Sequence, residues 1–408
     1  MNWITGLLDR LILSKAQRTD KVPAAPRRLL VDMSTIAQQD AGTGIQRVVR
    51  AIWLHLMDLD LGNITVLPIA ATAKRGYAIA EFDPTDGHLS LPSPNAPLIQ
   101  ASAGDIFLGL DLAAHRLSRH QRQLARWRRS GASINIVIYD LLPLQHPHWF
   151  PRSTGRNFAK WIGVVSRLAD RAICISHQVA SDLDTWLTTN RVARRDAIEV
   201  TVMPLSGAVD ATNPSRGIGD KGRAAIARAQ NTRTLLMVGT IEPRKGHDCV
   251  LDAMEHLWRT QPKNAPHVLI VGRPGWRTEA MQARLAALEG RAEHRLTWLS
   301  QASDELLAAL YARAALVVMP SRGEGFGLPI VEALRQGRKV LARDLPVFRE
   351  LARPGLFYFD DDRPAALADS ILTTLQEADP PIPVGEEWDD SVAILLRTLG
   401  LDQKKAPA

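Results

Sequence analysis

A chain of 408 residues, 46% hydrophobic and 23% charged, is too long for one ordinary core and fits two α/β domains with a cleft between them. Its formal net charge of +7 brings a polyanionic partner into consideration, whether nucleic acid, acidic lipid or a phosphate-bearing substrate. Its two cysteines, Cys174 and Cys249, lie in or beside apolar runs; they argue against a disulfide framework or zinc site and for a reducing compartment.

In chain order, residues 1–25 come first. Trp3, Ile4, Leu7, Leu8, Leu11 and Ile12 recur at helical spacing, and Lys15, Arg18 and Lys21 follow. The pattern fits an amphipathic helix on an anionic membrane surface, and equally a helix packed on the protein itself. Asp9 and Arg10 interrupt the apolar stretch and no small-residue cleavage site follows, which argues against a secretory signal. No uninterrupted apolar run reaches the ~18 residues of a spanning helix. The expected location is cytoplasmic, with peripheral contact at the inner face of the plasma membrane through residues 1–20 as an open alternative.

Short β-rich runs then alternate with helical patterns, the signature of parallel sheets with crossover helices. In the first half strands are expected at 29–32, 64–69, 106–108, 134–139 and 172–175, with helices at 45–56, 117–129 and 158–169. Residues 70–104 lack periodicity and read as a hairpin and loops. Glycines 207, 217, 219 and 222 with Asn213 and Pro214 punctuate residues 206–232, read as a linker. Beyond it strands are expected at 235–238, 268–271, 296–299, 316–319 and 339–342, with helices starting near 246, 279 and 329. The expectation is therefore α/β: a Rossmann-like domain over 26–205, a second over 233–385, and a C-terminal helix and tail over 386–408 that crosses back. In doubly wound domains ligands bind beyond the carboxyl ends of the strands, which places the chemistry in the cleft.

The most informative stretch is Pro320-Ser-Arg-Gly-Glu-Gly-Phe-Gly-Leu-Pro-Ile-Val-Glu332, directly after an apolar strand. Pro329 suits the first turn of a helix, and the glycines let a ligand approach the backbone near free N–H groups. Carboxylates beside such an anion site make sense if sugar hydroxyls donate to them. A surface loop with Glu332 as a favourable helix-start charge is the plain alternative. Likewise Val238-Gly-Thr-Ile-Glu-Pro-Arg-Lys-Gly246 sets Gly239 and then a basic pair, Arg244 and Lys245, between a buried strand and a helix. That is an anion cradle or a solvated helix start.

The spacing Glu324-x7-Glu332 within Glu-Gly-Phe-Gly-Leu-Pro resembles the retaining GT-B glycosyltransferases of family 4, of the bacterial surface-polysaccharide type, and the likeness runs through most of the C-terminal half. It implies a GT-B fold, two Rossmann-like domains facing a central cleft. It also implies that Glu324 contacts the donor sugar, that Gly325, Phe326, Gly327 and Leu328 hold sugar and phosphate through the backbone, that Glu332 takes the ribose, and that Arg244 or Lys245 neutralises the diphosphate. The family often has Arg where Thr240 stands, so Arg244 substitutes for it. In the N-terminal half, Gly42 and Gly44 of Asp40-Ala-Gly-Thr-Gly-Ile-Gln-Arg47 resemble the loop that approaches the donor or acceptor from the opposite domain; a mere turn remains open. Tyr139 stands where relatives carry His, leaving Asp140 to orient the acceptor or sugar, or simply to cap the following turn. Ser176 reads as an N-cap without a chemical role.

The resemblance further implies a front-face transfer in which the departing phosphate accepts the acceptor's proton, with no protein nucleophile. Asp58-Leu-Asp60, Asp182-Leu-Asp184 and the run Asp360 to Asp362 give weak metal signals, and no cofactor is expected beyond the nucleotide-diphosphate sugar itself. The expected partners are that donor, with GDP-mannose favoured, and a lipid-linked or polysaccharide acceptor. Rhamnosyl or other hexosyl transfer is the alternative on the same scaffold. A nucleic-acid-binding protein fits the charge but leaves the glutamate loop unexplained.

Overall fold

The computed structural model describes residues 27–85, 87–192, 196–208, 217–291, 295–383 and 387–401; the stretch 1–25 falls outside them. Among these described residues fifteen strands run β1 (Arg27–Asp32), β2 (Ile64–Ala70), β3 (Ala78–Ile79), β4 (Glu81–Asp83), β5 (His88–Ser90), β6 (Ile106–Gly109), β7 (Ser133–Ile138), β8 (Arg171–Cys174), β9 (Glu199–Val202), β10 (Thr234–Val238), β11 (His267–Val271), β12 (Leu296–Leu299), β13 (Leu316–Met319), β14 (Val340–Arg343) and β15 (Leu356–Phe359). The first sheet has the order β3-β2-β1-β6-β7-β8-β9, parallel except for β3. The second, β12-β11-β10-β13-β14-β15, is parallel throughout. The central strands β6, β7, β8, β10, β11, β13 and β14 are apolar runs buried on both faces, as crossover helices require.

Each order reverses once, between β1 and β6 in the first sheet and between β10 and β13 in the second. Loops leaving adjacent strands on either side of a reversal diverge and open a crevice. The loops after β1, β6, β10 and β13 all line the cleft, joined by those after β7 and β11. Residues 70–104 form an antiparallel addition to β2 and the small hairpin β4–β5. The single helix expected over 117–129 is two, Ala114–Leu117 and Gln121–Arg129.

The stretch 206–232 is not a plain linker, because a helix, Asp220–Asn231, occupies its second half. Gly222 sits inside that helix because a Cβ there would reach within 2.8 Å of Leu306 Cδ2. Its glycine permits helix-to-helix approach, whereas the sequence suggested a break. The last helix, Trp388–Thr398, crosses back onto the helix Gly44–Asp58 of the first domain. Trp388 Nε1 donates to the Ala208 carbonyl at 3.1 Å and Ser391 Oγ to that of Pro204 at 2.8 Å, so this helix clamps the crossover segment. No helix among the described residues is long and apolar enough to cross a membrane.

Trp388 is 5% exposed. Trp388→Ala is expected to lower stability by about 3 to 5 kcal/mol through loss of packing, read as an earlier midpoint in urea unfolding.

Candidate active site

Between the two sheets lies a cleft of about 730 Å³, lined from both domains. Its second-domain wall begins with the segment after β10. Pro243 opens a short 3-10 turn through Lys245, and Gly246 at φ +67 ends it and starts the helix His247–Thr260. This geometry aims Arg244 and Lys245 at the neighbouring loop after β13. Arg322 N–H donates to the Arg244 carbonyl at 2.7 Å, tying the loops together.

Glu324 is the focus. Lys245 Nζ donates to its Oε1 at 2.5 Å and Arg244 Nη1 to its Oε2 at 3.0 Å. Arg244 also reaches Glu242 at 3.0 Å and the Gly323 carbonyl at 3.0 Å. Burial alone would raise the Glu324 carboxyl; Lys245 and Arg244 more than offset it and hold the group near about 2. Burial raises the carboxyls of Glu242 and Asp140, with Arg244 opposing in both. Arg244 is held above its usual range despite burial, by Glu324, Glu242 and Asp140.

Gly325, Phe326, Gly327 and Leu328 all line the cleft. A Cβ on Gly325 would overlap the Tyr139 carbonyl oxygen, so glycine is what lets this loop press against the end of β7. Gly327, at φ +115, caps the helix Leu328–Arg335, whose first residues, Leu328 and Pro329, line the cleft. Gly239 lines the same wall.

From the first domain, Thr43 and Gln46 form a reciprocal capping box that fixes where the helix Gly44–Asp58 begins. The loop carrying Gly42 and Gly44 therefore faces the cleft, and an added carbon at Gly44 would touch Leu328 across it at 3.7 Å. Asp140 lines the cleft and also accepts the Leu142 N–H at 3.1 Å, so its capping geometry and its place in the site coexist. The Tyr139 hydroxyl donates to the Leu110 carbonyl at 2.8 Å and is unavailable to a ligand.

Glu332 departs from expectation. It falls in the second helical turn, 2% exposed and away from the cleft wall, where Arg47 reaches one oxygen at 2.7 Å and the Tyr311 hydroxyl donates to the other at 2.6 Å. Arg47 also lies 3.5 Å from Asp304, and both line the cleft. Burial works against the Arg47 charge, yet Glu332 and Asp304 hold its pKa above the ordinary value. In this arrangement the Glu332 carboxylate serves a cross-domain pair, and a ribose would have to share it.

Ser176 also does more than cap. Its hydroxyl accepts the Val179 N–H and donates to the Gly325 carbonyl at 2.8 Å, joining the first domain to the glutamate loop. Other bridges sequence reasoning missed are Glu350, which accepts the N–H groups of His177 and Gln178, and Trp276, whose Nε1 donates to the Trp149 carbonyl at 2.7 Å. Phe150 and Trp276 put aromatic surface on the cleft wall, their ring centroids 5.6 Å apart. His115 lines it too, its pKa lowered by partial burial and by Arg116 and Arg119. The capping-box spacing at Thr43 was a readable signal for Arg47; nothing local flags Tyr311 or Trp276.

The Asp-x-Asp pairs are spent elsewhere. Asp60 accepts the Gly62 N–H and Asp182 accepts from Gln178 on a helix, while Asp361 and Asp362 pair with Arg363 and Arg343. Among the described residues no group of three His, Cys, Asp or Glu side chains could hold a metal.

Residues 220–382 match the family model described as Glycosyl transferases group 1. The chain has the GT-B fold. Among solved structures, sucrose-phosphate synthase from Thermosynechococcus elongatus aligns with a TM-score of 0.57 at 15% identity, covering 92% of this chain and 99% of that one. The Anabaena protein Alr3699/HepE, solved in complex with UDP, aligns at 0.57 and 17% identity, covering 92% and 96%. Among curated proteins, the serotype-specific mannosyltransferase WbdA of Escherichia coli is 36% identical over 371 residues, 89% of this chain. The chain spans 43% of the length of that relative and 49% of another WbdA from the same species, which is 34% identical over 400 residues. A D-inositol 3-phosphate glycosyltransferase of Nocardia farcinica is 36% identical over 166 residues, 40% of this chain and 36% of that protein.

Removing one partner of a buried ion pair strands the other. Arg47→Ala is expected to cost about 3 to 5 kcal/mol, and Arg47→Met combined with Glu332→Gln to cost less than the sum of the singles, as a double-mutant cycle in urea will read. Acid titration gives a second test. A carboxyl depressed below its ordinary value of ~4.3 contributes stability above that pH and loses it as pH falls toward the folded value. The stability gap between the parent and Glu324→Gln is therefore expected to stay constant above about pH 5 and to narrow as pH falls toward 3.

Proposed function

We propose that the chain is a retaining hexosyltransferase of glycosyltransferase family 4. It moves a sugar, mannose from GDP-mannose being favoured, from a nucleotide-diphosphate donor to a lipid-linked or polysaccharide acceptor in cell-surface glycan synthesis, at the inner face of the membrane. The observation that carries this reading is the Glu324 carboxylate, gripped by Arg244 and Lys245 beside the cleft-lining backbone of Gly325 to Leu328. An ionised carboxylate accepts sugar hydroxyls, two cations meet a diphosphate, and a helix start offers N–H groups to its oxygens. The mannosyltransferase named among the relatives, similar over 89% of this chain, supports the choice of sugar.

In the proposed transfer the donor's diphosphate displaces Glu324 from Lys245 and Arg244, while the sugar's hydroxyls take their place on Glu324. Asp140 orients the sugar or acceptor, Gly239 and the Gly42–Gly44 loop approach the phosphates, and the ribose shares the Glu332 carboxylate with Arg47. The bond from the anomeric carbon to the phosphate oxygen breaks, the acceptor oxygen bonds on the same face, and its proton passes to the departing phosphate. Arg244, Lys245 and the amides carry the leaving-group charge without a metal. Phe150 and Trp276 offer flat apolar surface for an acceptor sugar ring.

The test is transfer by purified protein with a panel of nucleotide sugars and crude lipid acceptors, read by mass spectrometry. Glu324→Gln is expected to bind nucleoside diphosphate at least as well as the parent, because the cations are released. Its transfer is expected to fall about tenfold to a hundredfold, the worth of charged hydrogen bonds. Lys245→Ala is expected to lose both, and EDTA to change neither. Transfer at the parent rate by both variants would overturn the assignment.

A further inference from the structure

The excess positive charge is concentrated. Between residues 112 and 139 the sequence holds six arginines and two histidines and no Asp or Glu. The helix Gln121–Arg129 buries Leu124 and Trp127 and turns Arg122, Arg126 and Arg129 outward. Two of the six arginines are committed inward: Arg116 donates to the Ala71 carbonyl and Arg128 pairs with Asp170. Arg119, Arg122 and Arg126 have no carboxylate partner among the described residues; Arg119 makes only a long contact, 3.5 Å, to the Ala73 carbonyl.

These three arginines and His120 line a groove of about 250 Å³ closed on its other side by Gly76 and the segment Leu98 to Gln100. Leu98 is 46% exposed and is bridged to Ala78, whose neighbour Ile79 on that strand edge is 47% exposed. Two of the four large hydrophobics exposed among the described residues, Leu98 and Ile79, thus lie in or beside this arginine groove.

We infer that this face of the first domain docks on an anionic phospholipid bilayer, with headgroup phosphates in the Arg119, Arg122 and Arg126 groove and Leu98 at headgroup depth. Like charges on one helical face repel, and a plane of phosphates offsets that while meeting guanidinium forks in bidentate geometry. Leu98 beside them adds apolar contact that a purely polar polyanion leaves in water. Nucleic acid fits less well, because the aromatic ring of this helix, Trp127, is buried and cannot stack on a base. The location has a consequence: Ala114 and His115, which open the short helix leading to this surface, line the cleft. Docking here brings the cleft near the bilayer, where a lipid-linked acceptor is presented; that last point rests on the proposed function, while the docking does not.

The experiment is sedimentation of the full chain with vesicles of phosphatidylglycerol and phosphatidylcholine, against pure phosphatidylcholine, without nucleotide sugar. The parent is expected to bind the anionic vesicles alone and to release with rising salt. Arg119→Gln with Arg122→Gln and Arg126→Gln is expected to weaken partitioning by roughly a hundredfold, from about 1 kcal/mol per cation, and Leu98→Asn by a smaller factor. Nucleoside diphosphate binding is expected to remain at the parent level in both variants, which shows them folded; a second triple variant, to Lys, is expected to retain most of the binding. Parent-level sedimentation of the Gln variant overturns the inference, as does equal binding of the parent to neutral vesicles or a preference for duplex oligonucleotide. Loss of sugar transfer with vesicle binding intact counts against the proposed function instead.

Discussion

The site is organised around one carboxylate held by two cations. Glu324 sits at the tip of the loop after β13, and Arg244 and Lys245 come from the loop after β10. Those strands are neighbours in the sheet but their helices leave in different directions, because the strand order reverses between them. The ion pairs bridge the crevice that this reversal opens. A buried carboxylate without such partners would be neutral or absent; with them it stays ionised far into acid. The same contact makes the site responsive: any ligand that carries both anionic oxygens and hydroxyl donors can satisfy each member with a new partner.

The two domains meet through several polar contacts, each joining a backbone or charge of one to a side chain of the other. Ser176 reaches Gly325, Glu350 reaches the amides of His177 and Gln178, Trp276 reaches Trp149, and Arg47 reaches Glu332. The first and last flank the helix Leu328–Arg335 and its preceding loop. That loop is therefore positioned by both domains, so movement of one against the other is felt at Glu324. A cleft whose central loop is gripped this way couples occupancy to closure.

How much of this was legible in the sequence follows from what each feature depends on. The Glu324 loop was readable because strand, glycines, proline and helix occur in one continuous run whose order dictates its geometry. The alternation of strands and helices was readable for the same local reason, and most strand boundaries fall within a residue or two. Glu332 was not: eight residues on from Glu324 along a bending chain, its direction is set by Arg47 and Tyr311, which belong to distant elements. The helix Asp220–Asn231 was hidden because Gly222 serves packing against Leu306, and a packing glycine and a breaking glycine are the same letter. Ser176 was assigned its local partner correctly and its distant one, 149 residues away, not at all.

Three carboxyls, Asp140, Glu242 and Glu324, surround two cations, Arg244 and Lys245, so the cluster does not by itself welcome a diphosphate. Their environments divide them: cations pull Glu324 down to about 2, whereas burial pushes Asp140 and Glu242 up. Groups whose ionisation burial already disfavours take up a proton most readily when more negative charge arrives. In the unliganded cleft Glu324 is thus the carboxyl that the two cations keep ionised, and a diphosphate that draws them away leaves the sugar's hydroxyls to support its charge, while Asp140 and Glu242 are the carboxyls most ready to take up a proton. Division of labour among like groups follows here from contact with both cations at Glu324 against contact with Arg244 alone at Glu242.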